Sequence, residues 1–331
     1  MATSEQLRAL IKSHYNGDSE RFKTLALQMA ATEAKKGRQK IAEEIKALVE
    51  NSKQSGLKVA RRTISIHEPK GELSNLLSVK DPTVRLSNLI LNVRQDDRIE
   101  RILKEQKNIT KIRTHGLRLR RKLLLVGPPG TGKTMTAAAI AGELGLPFFT
   151  VKLDGLITRY LGETAAKLRL IFDAIQDFRG VYFFDEFDSI GSKRYDSNDV
   201  GEMRRVLNSF LQYIENDESN SLILAATNHS HMLDTALFRR FDDIIEYTHP
   251  NKDQIKELLK NTLSSFKFSA YTDAKILKEA AGLSHAEIVR SCEEAAKSML
   301  LTGKKEISKT DLITSMKERN SIKVTNGDGS Q

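Results

Sequence analysis

The sequence predicts an α/β fold: a parallel sheet with helices on both faces, followed by a small all-α unit and preceded by a short helical segment. Three observations carry this. Short apolar runs alternate with helical stretches between Leu86 and Pro250, the pattern of strands that run parallel and are joined by crossover helices. Beyond Pro250 the strand-like runs stop and only helical periodicity remains. In the first 50 residues the apolar positions also recur at helical spacing, in a segment too short to hold a sizeable core alone.

In chain order, the helical sets are Leu7, Leu10, Ile11, Tyr15, then Phe22, Leu25, Ala26, Met29, then Ile41, Ile45, Leu48, Val49. Asn16-Gly17-Asp18 and Gly37 separate them. These helices form an N-terminal domain over 1–56. Residues 57–85 read as a linker, with Arg62–His67 a short strand candidate, then punctuation at Pro69, Gly71 and Asp81-Pro82. The α/β unit spans 86–249. It opens on a helix over Asp96–Gln106 and contains strands at Leu123–Val126, Phe148–Val151, Val181–Phe184, Leu222–Ala226 and Ile244–Tyr247. Helical patterns at 253–264, 273–281, 284–301 and 309–319 make a second unit over 250–320, and 321–331 reads as a flexible tail.

Composition excludes several classes. Of 331 residues, 39% are hydrophobic and 29% charged, a soluble globular balance. The longest apolar runs are five residues, Ala137–Ala141 and Leu222–Ala226, against the ~20 a membrane-spanning helix needs. The first 30 residues lack the apolar core of a signal peptide. The single cysteine, Cys292, excludes an internal disulfide and a cysteine-rich zinc site. Together these favour the cytoplasm. Residues 1–126 hold 27 Lys and Arg against 14 Asp and Glu, and the rest of the chain is slightly acidic. That surplus suggests either an acidic partner, nucleic acid included, or a solvated basic surface.

The chemistry begins at Gly127-Pro128-Pro129-Gly130-Thr131-Gly132-Lys133-Thr134, directly after a strand and opening an alanine-rich helix. This is the complete phosphate-loop pattern. Its glycines let backbone N–H groups turn toward phosphate oxygens, the helix N-terminus adds its dipole, Lys133 reaches the terminal phosphates, and the Thr134 hydroxyl suits Mg²⁺. Met135, next in the helix, joins the loop as a nucleotide contact. About fifty residues on, Val181-Tyr-Phe-Phe-Asp185-Glu186 ends an apolar strand in two acids. Asp185 suits the metal shell and Glu186 the base that polarises an attacking water. The cofactors implied are ATP and Mg²⁺.

These motifs resemble the AAA family of ATPases, within the AAA+ superfamily and its protein-remodelling clade, from about Leu86 to Arg319. The resemblance implies an ATP hydrolase that assembles as a homo-hexamer. Leu222-Ile-Leu-Ala-Ala-Thr-Asn228 is similar to the strand whose terminal asparagine senses the terminal phosphate. Leu233–Asp242 resembles the arginine-finger region, with Arg240 the better finger and Arg239 second. It lacks the usual Pro-Gly between the arginines, and Asp243 stands where a further arginine is common. The alternative for either arginine is an ion pair with Asp242 or Asp243. Gly282-Leu-Ser-His285-Ala286-Glu287-Ile288 resembles the start of the lid helix that lies over adenine and ribose. Gly282, His285 and Ala286 are therefore nucleotide contacts by resemblance, with a solvated helix-start histidine the alternative for His285. Cys292 becomes a packed helical residue.

Arg159-Tyr160-Leu161-Gly162 resembles the aromatic-aliphatic-glycine loop that lines the family's central channel and grips an extended polypeptide. The alternative is that Tyr160 and Leu161 pack under the next helix. Ser192–Val200 is a candidate for a second channel loop or a plain surface loop. The resulting expectation is a ring-forming motor acting on protein substrates, with residues 1–56 recruiting substrate or adaptor. His67-Glu68 is followed by Pro69, so there is no His-Glu-x-x-His zinc site and any protease must be a separate chain. The competing class is a nucleic-acid machine using the basic N-terminal portion. Only Tyr15 and Phe22 are aromatic there, which supplies few stacking platforms.

Overall fold

A computed structural model describes residues 69–156, 161–187, 200–229 and 238–327, with the isolated positions Ala30 and Glu43. The chain divides into two compact units, Met1–Ile66 and His67–Gln331, and the four described segments belong to the second. The N-terminal helices expected over 4–50 and the strand candidate Arg62–His67 otherwise lie outside the described residues.

Six strands form one sheet: β1 (Leu77–Lys80), β2 (Lys122–Val126), β3 (Phe148–Val151), β4 (Val181–Phe184), β5 (Leu222–Thr227) and β6 (Asp243–Glu246). Their order is β1-β3-β4-β5-β2-β6. All neighbouring pairs are parallel except β1 with β3. The central strands read as unbroken apolar runs because both faces are covered, and every residue of β2, β4 and β5 is buried. Alternate side chains serve opposite faces. Leu124, Tyr182, Phe184, Ile223 and Ala225 meet the helices Leu161–Asp177 and Val200–Asn216 through Ile171, Phe172 and Phe210. Leu123, Leu125, Phe183, Leu224 and Ala226 meet the helices Val93–Lys107 and Lys133–Leu144 through Ile99, Ile102 and Ile140. The lid helices Lys252–Thr262, Ala274–Ala280, His285–Leu301 and Lys309–Gly327 close around Leu259, Ile276, Ile288, Cys292 and Leu312.

Three boundaries differ from the sequence reading. Part of the expected linker is sheet: the helical turn Leu73–Leu76 leads into β1, which pairs antiparallel with β3, Leu77 opposite Val151 and Lys80 opposite Phe148. The α/β unit therefore begins before Leu86, and the sheet is parallel with one antiparallel edge. The helix expected from Asp96 starts at Val93, because Asn92 and Gln95 form a reciprocal cap in which each side chain accepts the other's backbone N–H. The last helix continues to Gly327, so the expected tail is helical over most of its length.

Candidate active site

The phosphate loop leaves β2 at Val126 through Gly127, whose φ of 151° and close neighbours admit no side chain. A Cβ there would lie 2.2 Å from the Tyr247 carbonyl oxygen. The Gly127 N–H donates to the Thr227 carbonyl at 3.2 Å, tying the loop to the end of β5. Gly130 and Gly132 adopt φ of 73° and 101°, the left-handed turns that aim successive N–H groups at a common point. The Thr131 hydroxyl braces the loop by donating to the Pro128 carbonyl at 2.8 Å. Lys133 then begins a helix, so the loop ends on a helix N-terminus suited to anions.

Lys133 is buried, and its Nζ donates to the carbonyls of Gly127 at 2.6 Å and Pro128 at 2.9 Å and to Asn228 Oδ1 at 2.8 Å. The ammonium is thus fixed at the junction of β2 and β5. Thr134 Oγ1 donates to Asp185 Oδ2 at 2.9 Å. Two hard oxygen donors side by side fit Mg²⁺, which takes few protein ligands and completes its shell with water and phosphate. Asp185 Oδ1 accepts the Glu186 N–H at 3.0 Å, leaving the Glu186 side chain exposed to the cleft. Glu186 has φ of 49°, the one non-glycine residue with positive φ among those described. That conformation costs roughly 1–3 kcal/mol and concentrates at functional positions.

Because β4, β5 and β2 are neighbours, Asp185, Asn228 and the phosphate loop emerge at one edge of the sheet. They line a cleft of about 550 Å³. Its other wall is the lid. The Ala286 N–H donates to the Gly130 carbonyl at 3.0 Å, and a Cβ on Gly130 would come 2.6 Å from Ser284 Oγ. Ser284 caps the lid helix by accepting the Glu287 N–H at 3.3 Å, and Glu287 accepts the Ser284 N–H at 2.6 Å. Away from the phosphate loop the cleft becomes apolar, with Leu89, Ile90, Leu91, Leu258 and Val289 beside His285. Sequence reasoning missed these apolar residues, since nothing local marks Leu89–Leu91 as a ligand wall.

His285 is not a solvated helix-start residue. Both its ring nitrogens are sealed from solvent, and neither reaches hydrogen-bond geometry with a partner among the described residues. Burial lowers its pKa, the His249 imidazole nearby lowers it further, and the Ile90 main chain opposes them weakly. The expected contacts Gly130, Thr131, Gly132, Lys133, Thr134, Met135, Asp185, Glu186, Asn228, His285 and Ala286 all line the cleft, while Gly127 and Pro128 supply the carbonyls behind it. Gly282 does not line it; its φ of 86° turns the chain before the lid helix.

Arg239 and Arg240 stand apart from the cleft. Arg240 Nε pairs with Glu215 Oε2 at 3.1 Å. The pairing with Asp242 or Asp243 considered from sequence does not occur among the described contacts, because both carboxylates are engaged elsewhere. Asp242 accepts the backbone N–H groups of Arg121 and Lys122, each at 2.8 Å. Asp243 pairs with Arg98 at 2.9 Å and Arg120 at 3.1 Å. Arg159, Tyr160 and most of Ser192–Val200 lie outside the described residues, and Leu161 opens a helix.

Residues 123–249 match the family described as "ATPase family associated with various cellular activities (AAA)". The chain is 35% identical to the uncharacterized AAA family ATPase y4kL of Sinorhizobium fredii, over 94% of this chain and 93% of that protein. It is 35% identical to the ATP-dependent zinc metalloprotease FtsH of Parabacteroides distasonis over 66% of this chain, spanning about a third of that protein (33%). It is 37% identical to the proteasome-activating nucleotidase of Sulfurisphaera tokodaii over 59% of this chain and 52% of that protein. The fold is shared with the FIGL-1 AAA domain at a TM-score of 0.60 and 22% identity, covering 74% of this chain and 86% of that one. No helix among the described residues is long and apolar enough to cross a membrane. A cleft built from a phosphate loop, two strand-end acids and a strand-end asparagine, together with 35% identity to an AAA family ATPase over nearly the full length of both chains, establishes that this chain belongs to the AAA family of ATPases.

Proposed function

We propose that the protein is a ring-forming, Mg²⁺-dependent ATP-driven motor that unfolds or disassembles protein substrates in the cytoplasm. The observation that carries it is the junction at which Lys133, Asn228, Asp185, Thr134 and Glu186 meet. Lys133 and the loop N–H groups neutralise phosphate charge, Thr134 and Asp185 hold the metal, Glu186 takes the proton of the attacking water, and Asn228 orients that water. Arg240, with Arg239 second, serves the cleft of a neighbouring copy, which fits its position away from its own cleft. Head-to-tail contacts of this kind close a ring, and a homo-hexamer is the expected size. Tyr160 and Leu161, with Arg159 at the entrance, grip the substrate in a central channel. Residues 1–56 recruit the substrate or an adaptor, and any protease is a separate chain. The names of the relatives support this reading, since FtsH is an ATP-dependent metalloprotease and the nucleotidase activates a proteasome.

The test is ATP turnover and unfolding of a tagged protein, with an unfolded polypeptide or DNA as stimulant, for the wild type and Tyr160→Ala. The expected result is stimulation by polypeptide, lost with unfolding in the variant while basal turnover stays within a few-fold. Stimulation by DNA alone would replace this reading with the nucleic-acid one.

A further inference from the structure

The end of the sheet opposite the phosphate loop is also charged. The loop leaves the C-terminal end of β2, whereas a hollow of about 460 Å³ lies where β2 and β6 begin, with Lys122 opening one strand and Asp242 just ahead of the other. This hollow shares no lining residue with the nucleotide cleft. The run Lys107–Lys122 gives it Arg113, Leu117, Arg118, Arg121 and Lys122, and that run holds seven Lys and Arg without an Asp or Glu. Part of the basic surplus of the sequence is therefore gathered in one concave place.

Three of the four acids that line the hollow are already engaged. Asp217, its side chain 1% exposed, pairs with Arg121 at 2.7 Å. Asp242 accepts the Arg121 and Lys122 N–H groups, and Glu215 pairs with Arg240. Glu218 is exposed on the rim. Three cations have no carboxylate partner among the described residues. Arg113 and Arg118 are exposed at the hollow and form no ion pair there. Lys122 is buried, and its Nζ reaches the Glu215 carbonyl at 3.4 Å. A buried lysine ordinarily has a counter-charge. Leu117, which also lines the hollow, is 63% exposed.

The chemistry of a partner follows from this lining. Each unpaired guanidinium is a planar fork that binds a carboxylate or a phosphate oxygen pair through two parallel hydrogen bonds. The acids decide between those two. A nucleic-acid backbone carries a charge at every step, so it would set some of its phosphates against Glu218 and Asp242. None of the lining residues is aromatic, so an unpaired base finds no ring to stack on. A peptide meets the same lining without conflict. It can place carboxylates on Arg113 and Arg118, an apolar side chain on Leu117, and an uncharged residue opposite Glu218.

We propose that this hollow docks an acidic segment of a protein partner, one that combines two carboxylates with an apolar side chain. The inference is independent of the nucleotide reading, because the hollow and the cleft have no residue in common.

The experiment is fluorescence anisotropy on the intact protein with three labelled probes: a short peptide of Glu, Leu and Ser, the same peptide with Gln for Glu, and single-stranded oligo-dT. The wild type is compared with the double variant Arg113→Gln/Arg118→Gln and with Leu117→Ser, which leaves every charge in place. Melting temperature and sedimentation velocity are recorded for each. The expected result is binding of the Glu peptide that weakens with salt and falls about 10- to 100-fold in the double variant, as loss of charged hydrogen bonds does. Leu117→Ser should lower it a few-fold, and the Gln peptide should bind the wild type no better than the Glu peptide binds the double variant. Glu-peptide affinity that is absent in the wild type, or unchanged in both variants, overturns the proposal. Oligo-dT binding that the double variant loses while peptide binding persists gives the hollow to nucleic acid and overturns it. A fall in assembly size in the double variant without any probe assigns the hollow to a second copy of the chain and overturns it as well.

Discussion

Lys133 Nζ stands 2.8 Å from Asn228 Oδ1, so the cation of the phosphate loop and the amide ending the neighbouring strand are in direct contact. The two residues nevertheless do different work. Lys133→Ala should lower ATP affinity about 10- to 100-fold, the 1.5–3 kcal/mol of a charged hydrogen bond. Asn228→Ala should leave affinity within a few-fold and reduce turnover on the order of 10²-fold, as loss of one oriented polar group at the reacting oxygen does. Calorimetry and phosphate release on both variants check this. Equal loss of affinity in the two would mean that Asn228 serves only to hold the lysine.

Glu186 combines a chemical role with a strained backbone, φ 49°. Glu186→Gln should bind ATP normally and turn it over very slowly, since the Thr134–Asp185 pair remains. Glu186→Gly should be equally slow yet melt at a higher temperature than the glutamine variant. Glycine occupies positive φ without the steric penalty, a relief of about 1 kcal/mol. A glycine variant that melts below the glutamine variant would show that the backbone there is not strained.

The ion pair Arg240–Glu215 is largely solvated, with side chains 33% and 63% exposed, and contributes little to stability. Arg240→Ala should keep ATP binding and sharply lower turnover. Mixing it with Glu186→Gln subunits should restore part of the hydrolysis, because some clefts then pair an intact Glu186 with a neighbour's intact Arg240. Turnover that stays flat across mixing ratios, in assemblies shown to contain both variants, removes the action in trans.

Gly130 lies against the lid, and an added Cβ would press on Ser284 Oγ at 2.6 Å in a left-handed backbone. Gly130→Ala should weaken ATP binding and loosen the Ser284–Glu287 cap together, read as faster amide exchange at Glu287. Unchanged exchange there would separate loop from lid.

Burial pushes the Cys292 thiol up to about 12, so almost no thiolate exists in the folded protein at pH 8. A thiol-reactive dye should label the native chain at the rate of lid unfolding and label the urea-unfolded chain at once. The linkage has a definite sign. The acid's pKa is raised on folding, so its contribution to stability is intact below the unfolded thiol's pKa, near 8.5, and is lost as pH climbs from there toward 12. A melting temperature that rises over that interval, in comparison with Cys292→Ala, would contradict it.

Much of this was legible because buried parallel strands are continuous apolar runs, and because the phosphate loop and its strand-end acids are local patterns. What escaped depends on distant partners. β1 has only four residues, Leu77-Ser-Val-Lys80, and is a strand because Leu77 lies opposite Val151, more than seventy positions away. The start of the Val93 helix was missed by three residues, although Asn92 and Gln95 have the spacing of a reciprocal cap. The burial of His285 was not legible, because the wall against it comes from Ile90 in a segment far upstream. Likewise nothing near Arg240 announces Glu215 as its partner.

The strand order has a consequence for synthesis of the chain. β2, which carries the phosphate loop, pairs with nothing made before it, and its two neighbours are β5 and β6, about 100 residues later. The loop is anchored only when the Thr227 carbonyl accepts from Gly127 and Tyr247 closes behind it. At the ~5–20 residues per second of translation, the nascent chain carries a finished nucleotide motif for roughly 5–20 seconds before it has a nucleotide site. Ribosome-bound chains halted before β5 should therefore retain no nucleotide, whereas chains with β6 and the lid exposed should. During that interval the apolar run Leu123-Leu-Leu-Val126 is an unpaired strand, and ATP cannot act as the chain's own folding ligand until β5 and β6 have been made.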